Sequence, residues 1–343
     1  MARLRYVSAG VAVAIGVVAA GAGLIGGKAA FGSGGAAGGS GSTGVAGTRI
    51  DVVTKATDSD FWQSMLAGSK QAGDDLGVQL GLFGPTSETD IDAQVSLVEN
   101  AISRGAKAIV LAANSSTALN GVVDRARQQG IKVITVDNAI TTGSEGFIGT
   151  DNIKAGQQAG QKMCDLLTAQ GKQDGKILHE SSTSGQQVLV DRFTGFAAGL
   201  AAKCPGARVV QTSVNDNDLN KAVGQVNDAL TAIPDLAGVF ADNNTSGTGA
   251  AKAVGERQAG DRVAVVAFDS DPAEVAAVRA GSVDAIVVQN PFFFGYQGVV
   301  EAAMATRGST PPVKLDPGAV VIDKSGVDKP EYAELLDPPK TKG

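Results

Sequence analysis

Residues 108–138 read AIVLAANSSTALNGVVDRARQQGIKVITVDN. Ala108–Ala112 is an apolar run of strand length, Thr117–Gln129 carries a helical pattern, and Lys132–Val136 is a second apolar run. Gly130 stands where the helix must stop, and glycine supplies the left-handed residue that such a stop uses. Strands this apolar are buried on both faces, which calls for a parallel sheet covered by helices. The second strand runs directly into Asp137 and Asn138.

The alternation extends in both directions. Upstream, Ile50–Thr54 and Val78–Phe83 read as strands; Phe61–Leu76 and Ile91–Arg104 read as helices stopped at Gly77 and Gly105. Past Phe147–Thr150 the series restarts with helix 153–170 and strand 176–181, and runs on to strand 284–288 and a helix at Pro291–Thr306. Two α/β sets of similar size imply two doubly wound parallel-sheet lobes with a cleft between them. The Pro-rich tail holds one strand candidate, Gly318–Ile322.

The strand ends share a chemistry. Gly238–Ala241 runs into Asp242, Asn243 and Asn244; Val263–Phe268 into Asp269; Asp284–Val288 into Gln289 and Asn290. Ligands of open parallel sheets bind beyond the carboxyl ends of the strands. Carboxylates and amides there present planar sets of acceptors and donors, which suit the adjacent hydroxyls of a sugar or polyol.

Composition narrows the class. The chain has 343 residues, 43 % hydrophobic and only 4 % aromatic, so its core is mainly aliphatic. Formal net charge is −6, and Arg3, Arg5 and Lys28 are the only charges in residues 1–47, which leaves the body more acidic still. An acidic body has no electrostatic footprint for nucleic acid. Residues 1–30 pair a basic head with the uncharged run Val7–Gly27, and read as an export signal or an uncleaved membrane anchor. Either reading puts the body outside the cytoplasm. Residues 31–47 form a Gly-rich linker.

Cys164 and Cys204, the only cysteines, fall in helices flanking strand 176–181. A disulfide is the expectation in an exported chain, with two buried thiols as the alternative.

Catalytic patterns are thin. His179 is the only histidine, and its neighbours alternate to different faces, so it reads as a packing residue. No Cys/His cluster suggests a metal, and no cofactor is implied. Gly247-Thr-Gly-Ala-Ala-Lys252 follows a strand and precedes Asp269, but Lys252 replaces the third glycine of a dinucleotide site. Ser59-Asp60-Phe61-Trp62 is more informative. Aromatic faces stack on sugar rings, and one of Phe61 and Trp62 is expected to line the cleft while the other packs inside.

With these segments in place, the chain resembles the ribose-binding-protein-like periplasmic sugar-binding proteins, the solute receptors of ABC importers. The resemblance runs from about Arg49 to Ile322. It rests on Ser59–Trp62 with Gly68 and Leu76-Gly77, Ile134–Asp137, Ile148–Asn152 with Ala155-Gly156, Arg192 with Gly195-Phe196, Val239–Asn243, Val266–Asp269 and Gln289–Pro291. It implies ligand contacts at Ser59, Phe61, Trp62, Asp137, Asn243, Asp269 and Gln289, with Asn138 beside them. Asn114, Asn217 and Arg192 are weaker candidates. Asn138 stands where the family has an arginine, Val190 near a second one, and Asn217 near an aromatic wall. These departures leave the particular sugar open.

The resemblance further implies three crossings, near Thr150–Asp151, Gln289–Asn290 and Pro317–Gly318. The first lobe would be 48–150 plus 291–317, and the second 151–290 plus 318–343. A monomer that closes on a monosaccharide or polyol and delivers it to permease subunits is expected. The same fold serving a membrane receptor kinase, or an exported enzyme on this scaffold, are the alternatives.

Overall fold

The computed structural model describes residues 44–341. The export segment or anchor at 1–30 and the linker up to residue 43 lie outside the described residues. Among those described, no helix is long and apolar enough to cross a membrane.

The first lobe is built from β1 (Arg49–Val53), α1 (Asp60–Leu76), β2 (Gln79–Phe83), α2 (Ile91–Ser103), β3 (Ala108–Leu111), α3 (Asn120–Gln128), β4 (Lys132–Val136) and β5 (Gly146–Ile148). Its strands lie in the order β2-β1-β3-β4-β5, all parallel. Alternation along each strand divides the core. Ile50, Val52, Val110 and Val136 pack with Met65 of α1 on one face; Val53, Ile109, Leu111 and Val133 meet α2 and α3 on the other. Gly77, Gly105 and Gly130 take φ of 65°, 75° and 79°, the left-handed stops that their positions demand.

The second lobe runs α4 (Asn152–Ala169), β6 (Lys176–Ser181), α5 (Gln187–Lys203), β7 (Arg208–Val214), α6 (Leu219–Ala232), β8 (Leu236–Ala241), α7 (Asn244–Glu256), β9 (Ala264–Phe268), α8 (Pro272–Ala280) and β10 (Ala285–Val288). The chain then re-enters the first lobe as α9 (Pro291–Ala305), whose Phe294 and Val299 join the core beneath α1. Leu315 bridges to Ile148 before β11 (Val320–Asp323) returns to the second sheet. That sheet has the order β11-β10-β9-β8-β6-β7. It is not wholly parallel, because β11 pairs antiparallel with β10 after arriving from the opposite end.

In each lobe two helices touch backbone to backbone. A Cβ on Gly68 of α1 would lie 2.0 Å from the carbonyl oxygen of Phe292, and one on Gly295 of α9 would lie 1.9 Å from that of Met65. Between α4 and α5 the same holds at Gly156, Gly160, Gly195 and Gly199, with the corresponding gaps between 2.1 and 2.2 Å. A disulfide joins Cys164 of α4 to Cys204 at the end of α5, with Cα atoms 5.7 Å apart.

After a 3₁₀ turn (Pro330–Tyr332), α10 (Ala333–Leu336) docks Leu336, with Leu335 and Tyr332, on the second-lobe core. The last two described residues also touch the first lobe. Thr341 donates its backbone N–H to Gln63 O (3.2 Å), and Lys340 Nζ lies 3.0 Å from Asp60 Oδ2, both on α1.

Candidate functional site

The carboxyl ends of the two sheets face each other across a cavity lined from both lobes. From the first lobe, Lys55 follows β1, Phe61 and Trp62 occupy the first turn of α1, Glu88 precedes α2, and Asp137 follows β4. From the second, Ser182 follows β6; Gln186, Val188, Leu189 and Arg192 lie at the start of α5. Asn243 and Asn244 follow β8, Asp269 follows β9 and Gln289 follows β10.

Asp137 and Asp269 occupy matching places in the two sheets. Each follows the fourth strand of the series, takes a left-handed φ (58° and 81°), and donates its backbone N–H to the neighbouring strand, at Ile148 O and Val287 O, 2.9 Å in each case. Aspartate is among the few residues that tolerate this conformation. It lifts each carboxylate off its strand toward the cavity.

The electrostatics are asymmetric. Asp137 has a buried cation, with Lys55 Nζ 2.7 Å from its Oδ2 in an ion pair rather than an aligned hydrogen bond. Asp269 has no such direct partner; its Oδ1 accepts from Gln289 Nε2 at 2.7 Å. Burial pushes its carboxyl up to about 6, although the Arg192 charge and the Gln289 hydrogen bond pull it down; Asp271 and Asp137 add to the rise. Arg192 is locked in place, donating to Asn152 Oδ1 (2.9 Å) and Asp242 O (2.7 Å) with its guanidinium 4.3 Å from the Phe268 ring centre.

The lobes are drawn together by contacts at this site. Gln186 of the second lobe accepts from Lys55 Nζ (2.7 Å) and donates to Glu88 Oε2 (3.2 Å), while Glu88 Oε1 accepts from Trp62 Nε1 (2.8 Å). Thr150 donates to Gln289 Oε1 at 2.9 Å. The arrangement offers hydroxyl acceptors from both sides, amides between them, and aromatic faces at one wall. That is the chemistry of a small, neutral, hydroxyl-rich ligand.

Among the sequence candidates, Phe61, Trp62, Asp137, Asn243, Asp269, Gln289 and Arg192 are on the wall. Phe61 and Trp62 both line it; Trp62 is the more deeply buried, and their rings meet edge to face at 4.8 Å. The other candidates lie off the wall. Asn138 is fully buried and clasps the lobes, donating to Ala113 O (2.9 Å) and accepting from Val188 N–H (3.4 Å). Asn217 accepts from Asn243 Nδ2 at 3.1 Å and so stands behind a lining residue. Asn114 is buried with its side-chain amide unpartnered, and Ser59 precedes α1 with a buried, unpartnered Oγ.

Lys55, Glu88 and Gln186 were missed. Lys55 was legible, since it stands one residue beyond a strand end. Glu88 and Gln186 come from loops and carry no local signal. His179 is off the cavity, stacked on Phe193 at 4.3 Å and bonded through Nε2 to Asp242 at 3.0 Å. No group of three or more His, Cys, Asp or Glu that could hold a metal occurs among the described residues.

Residues 50–310 match the model of the periplasmic binding protein domain family, and the chain belongs to that family. Its sequence is 28 % identical to the D-allose-binding periplasmic protein of Escherichia coli, over 81 % of this chain and 91 % of that one. It is 26 % identical to the ribose import binding protein of Haemophilus influenzae, over 80 % and 91 %. A carbohydrate transporter solute-binding protein from Agrobacterium radiobacter, solved with D-arabinose, superposes with a TM-score of 0.82 at 31 % identity, covering 85 % of this chain and 99 % of that one. A solute-binding protein from Agrobacterium vitis with bound α-D-tagatopyranose gives 0.79 at 30 % identity, covering 84 % and 99 %.

Proposed function

We propose that the chain captures one pentose, hexose or related polyol between Asp137 and Asp269, closes on it by rotation at its three crossings, and presents the closed form to the permease of an ABC importer. The observation that carries this is that equivalent strand-end carboxylates from opposite lobes line one cavity. Each lobe offers half a site, so only closure lets both contact the ligand, and binding shifts the population toward closure. The relatives solved with D-arabinose and D-tagatose support a monosaccharide-sized ligand. We place the body outside the cytoplasmic membrane, as the family description indicates, and as a monomer, because the site is complete within one chain.

The test is a titration of the purified protein with pentoses, hexoses and polyols. Trp62 lies on the cavity wall, so binding should change its emission. If no member of a broad panel binds more tightly than about 1 mM, corresponding to about 4 kcal/mol, the reading fails. Light scattering with and without ligand checks the monomer.

A further inference from the structure

The first turn of α5 has no cap from its own lobe. Its neighbours α4, α6 and α7 each begin with a side chain that accepts an N–H of the first turn: Asp151 from Lys154, Asp218 from Lys221 and Asn243 from Ser246. The N-cap residue of α5 is Gln186, whose side chain makes no such bond. The leading N–H groups of a helix have no partner within it and must find one outside.

They find it in the first lobe. Gln187 N–H donates to Ser116 Oγ at 3.3 Å, and Val188 N–H donates to Asn138 Oδ1 at 3.4 Å. The Gln186 side chain turns the same way, accepting from Lys55 Nζ and donating to Glu88 Oε2. Consecutive residues of one lobe are thus held by Lys55, Glu88, Ser116 and Asn138 of the other. Ser116 and Asn138 are buried and joined to each other, with Asn138 Nδ2 donating to Ser116 Oγ at 3.4 Å. Neither lines the cavity.

Placement gives these bonds leverage. The chain leaves the first lobe after β5, at one edge of the first sheet. Asn138, Ser116, Lys55 and Glu88 follow β4, β3, β1 and β2, which run out to the opposite edge. Rotation at the crossings separates the lobes most at that far edge. Opening hands the N–H groups of α5 to water, and closing returns them to Ser116 and Asn138.

We infer that the first turn of α5 is a latch, capped by the opposite lobe in the closed form alone, and that Ser116, Asn138 and Gln187 are positioning residues that set ligand affinity without touching the ligand. This rests on the reading of the cavity as a sugar site that closes. A ligand that binds the closed form has an apparent affinity proportional to the population of that form. Weakening the latch therefore weakens every ligand by one common factor, whereas changing a wall residue affects different sugars differently.

The experiment compares the full chain with Gln187→Pro, Ser116→Ala and the double variant. Proline is favoured at the first helical position and removes the N–H there. The extended Gln186 before it (φ −99°, ψ 121°) accommodates a following proline. The Gln187 side chain is exposed and bonds only Asp191 of its own helix. Each protein is titrated with the sugar panel, its radius of gyration without ligand is measured by small-angle scattering, and circular dichroism checks folding; either single variant suffices if the other does not fold. Affinity should fall about three- to tenfold, by a factor that agrees within about twofold from sugar to sugar. The double variant should fall no further than the weaker-binding single one, because both substitutions remove the same bond. A protein already closed without ligand shows the loss as a larger radius instead. Unchanged affinities and radii, factors that differ between sugars, or losses that add overturn the latch. If the wild type binds no sugar of the panel, the sugar reading fails by itself; the radius then decides the latch, larger in the variants if it stands and unchanged if it does not.

Discussion

Asp269 should make sugar binding weaken as the solution is acidified, while the same acidification stabilises the unliganded fold through that one group. Burial raises its carboxyl from 3.8 to about 6, against the pull of Arg192 and Gln289. Between those values the folded protein holds a proton that the unfolded chain has released. The stabilising contribution is therefore present below about pH 4 and is lost as pH rises through 6, an effect of about 3 kcal/mol. Binding has the opposite sign, because the ionised carboxylate is the better acceptor for ligand hydroxyls. At pH 5 roughly a tenth of Asp269 is ionised, so the apparent affinity should be about tenfold lower than at pH 8. The assay is isothermal titration with the tightest sugar of the panel at half-unit steps from pH 5 to 8. Asp269→Asn should bind about ten- to a hundredfold more weakly at pH 8, the loss of a charge-assisted hydrogen bond, and should show no pH response. Glu180 titrates nearby, pushed up to about 7 by burial, but it is not on the cavity wall; Glu180→Gln should leave the pH profile of binding in place. A wild-type affinity that stays within twofold across this range, or an Asp269→Asn variant with the same slope, would refute the reasoning.

Lys55→Met should lower stability by about 3–5 kcal/mol, because it leaves the Asp137 carboxylate buried without its counter-charge; an unchanged denaturation midpoint would show that the pair is solvated. Removing the disulfide as Cys164→Ala with Cys204→Ala should cost about 2–4 kcal/mol and leave sugar affinity alone, since both residues lie away from the cavity; melting curves and titrations separate the two. Gly195→Ala should cost about 1–3 kcal/mol by overpacking, because its Cβ would fall 2.1 Å from Ile153 O. Gly224→Ala, with nothing within 4 Å of its Cβ, should stabilise α6 by about 0.5–1 kcal/mol; equal effects at the two sites would contradict the packing described.

Most of the framework was legible because its signals are local. Apolar runs, helical spacing and glycine stops each depend on a few consecutive residues, and the strand ends placed Asp137, Asn243, Asp269 and Gln289 on one wall. The site was less legible where it depends on geometry between distant segments. Gln186 meets Lys55 only because two lobes face each other. Asn138 sits beside Asp137 in sequence, yet the turn that aims Asp137 at the cavity buries Asn138 between the lobes. The orientation of β11 and the path of the last residues were similarly beyond local reading, since both are set by where the chain arrives.

The glycine seams of α1 with α9 and of α4 with α5 bear on how this molecule can be altered. Helices joined through main-chain contact have no compressible layer of side chains between them, so motion between the lobes is expected at the connecting peptides rather than within either helix pair. The seam glycines are not among the residues that line the cavity. A substitution in a seam would therefore disturb the packing of a lobe without touching a lining side chain, whereas one at Lys55 or Trp62 would disturb both.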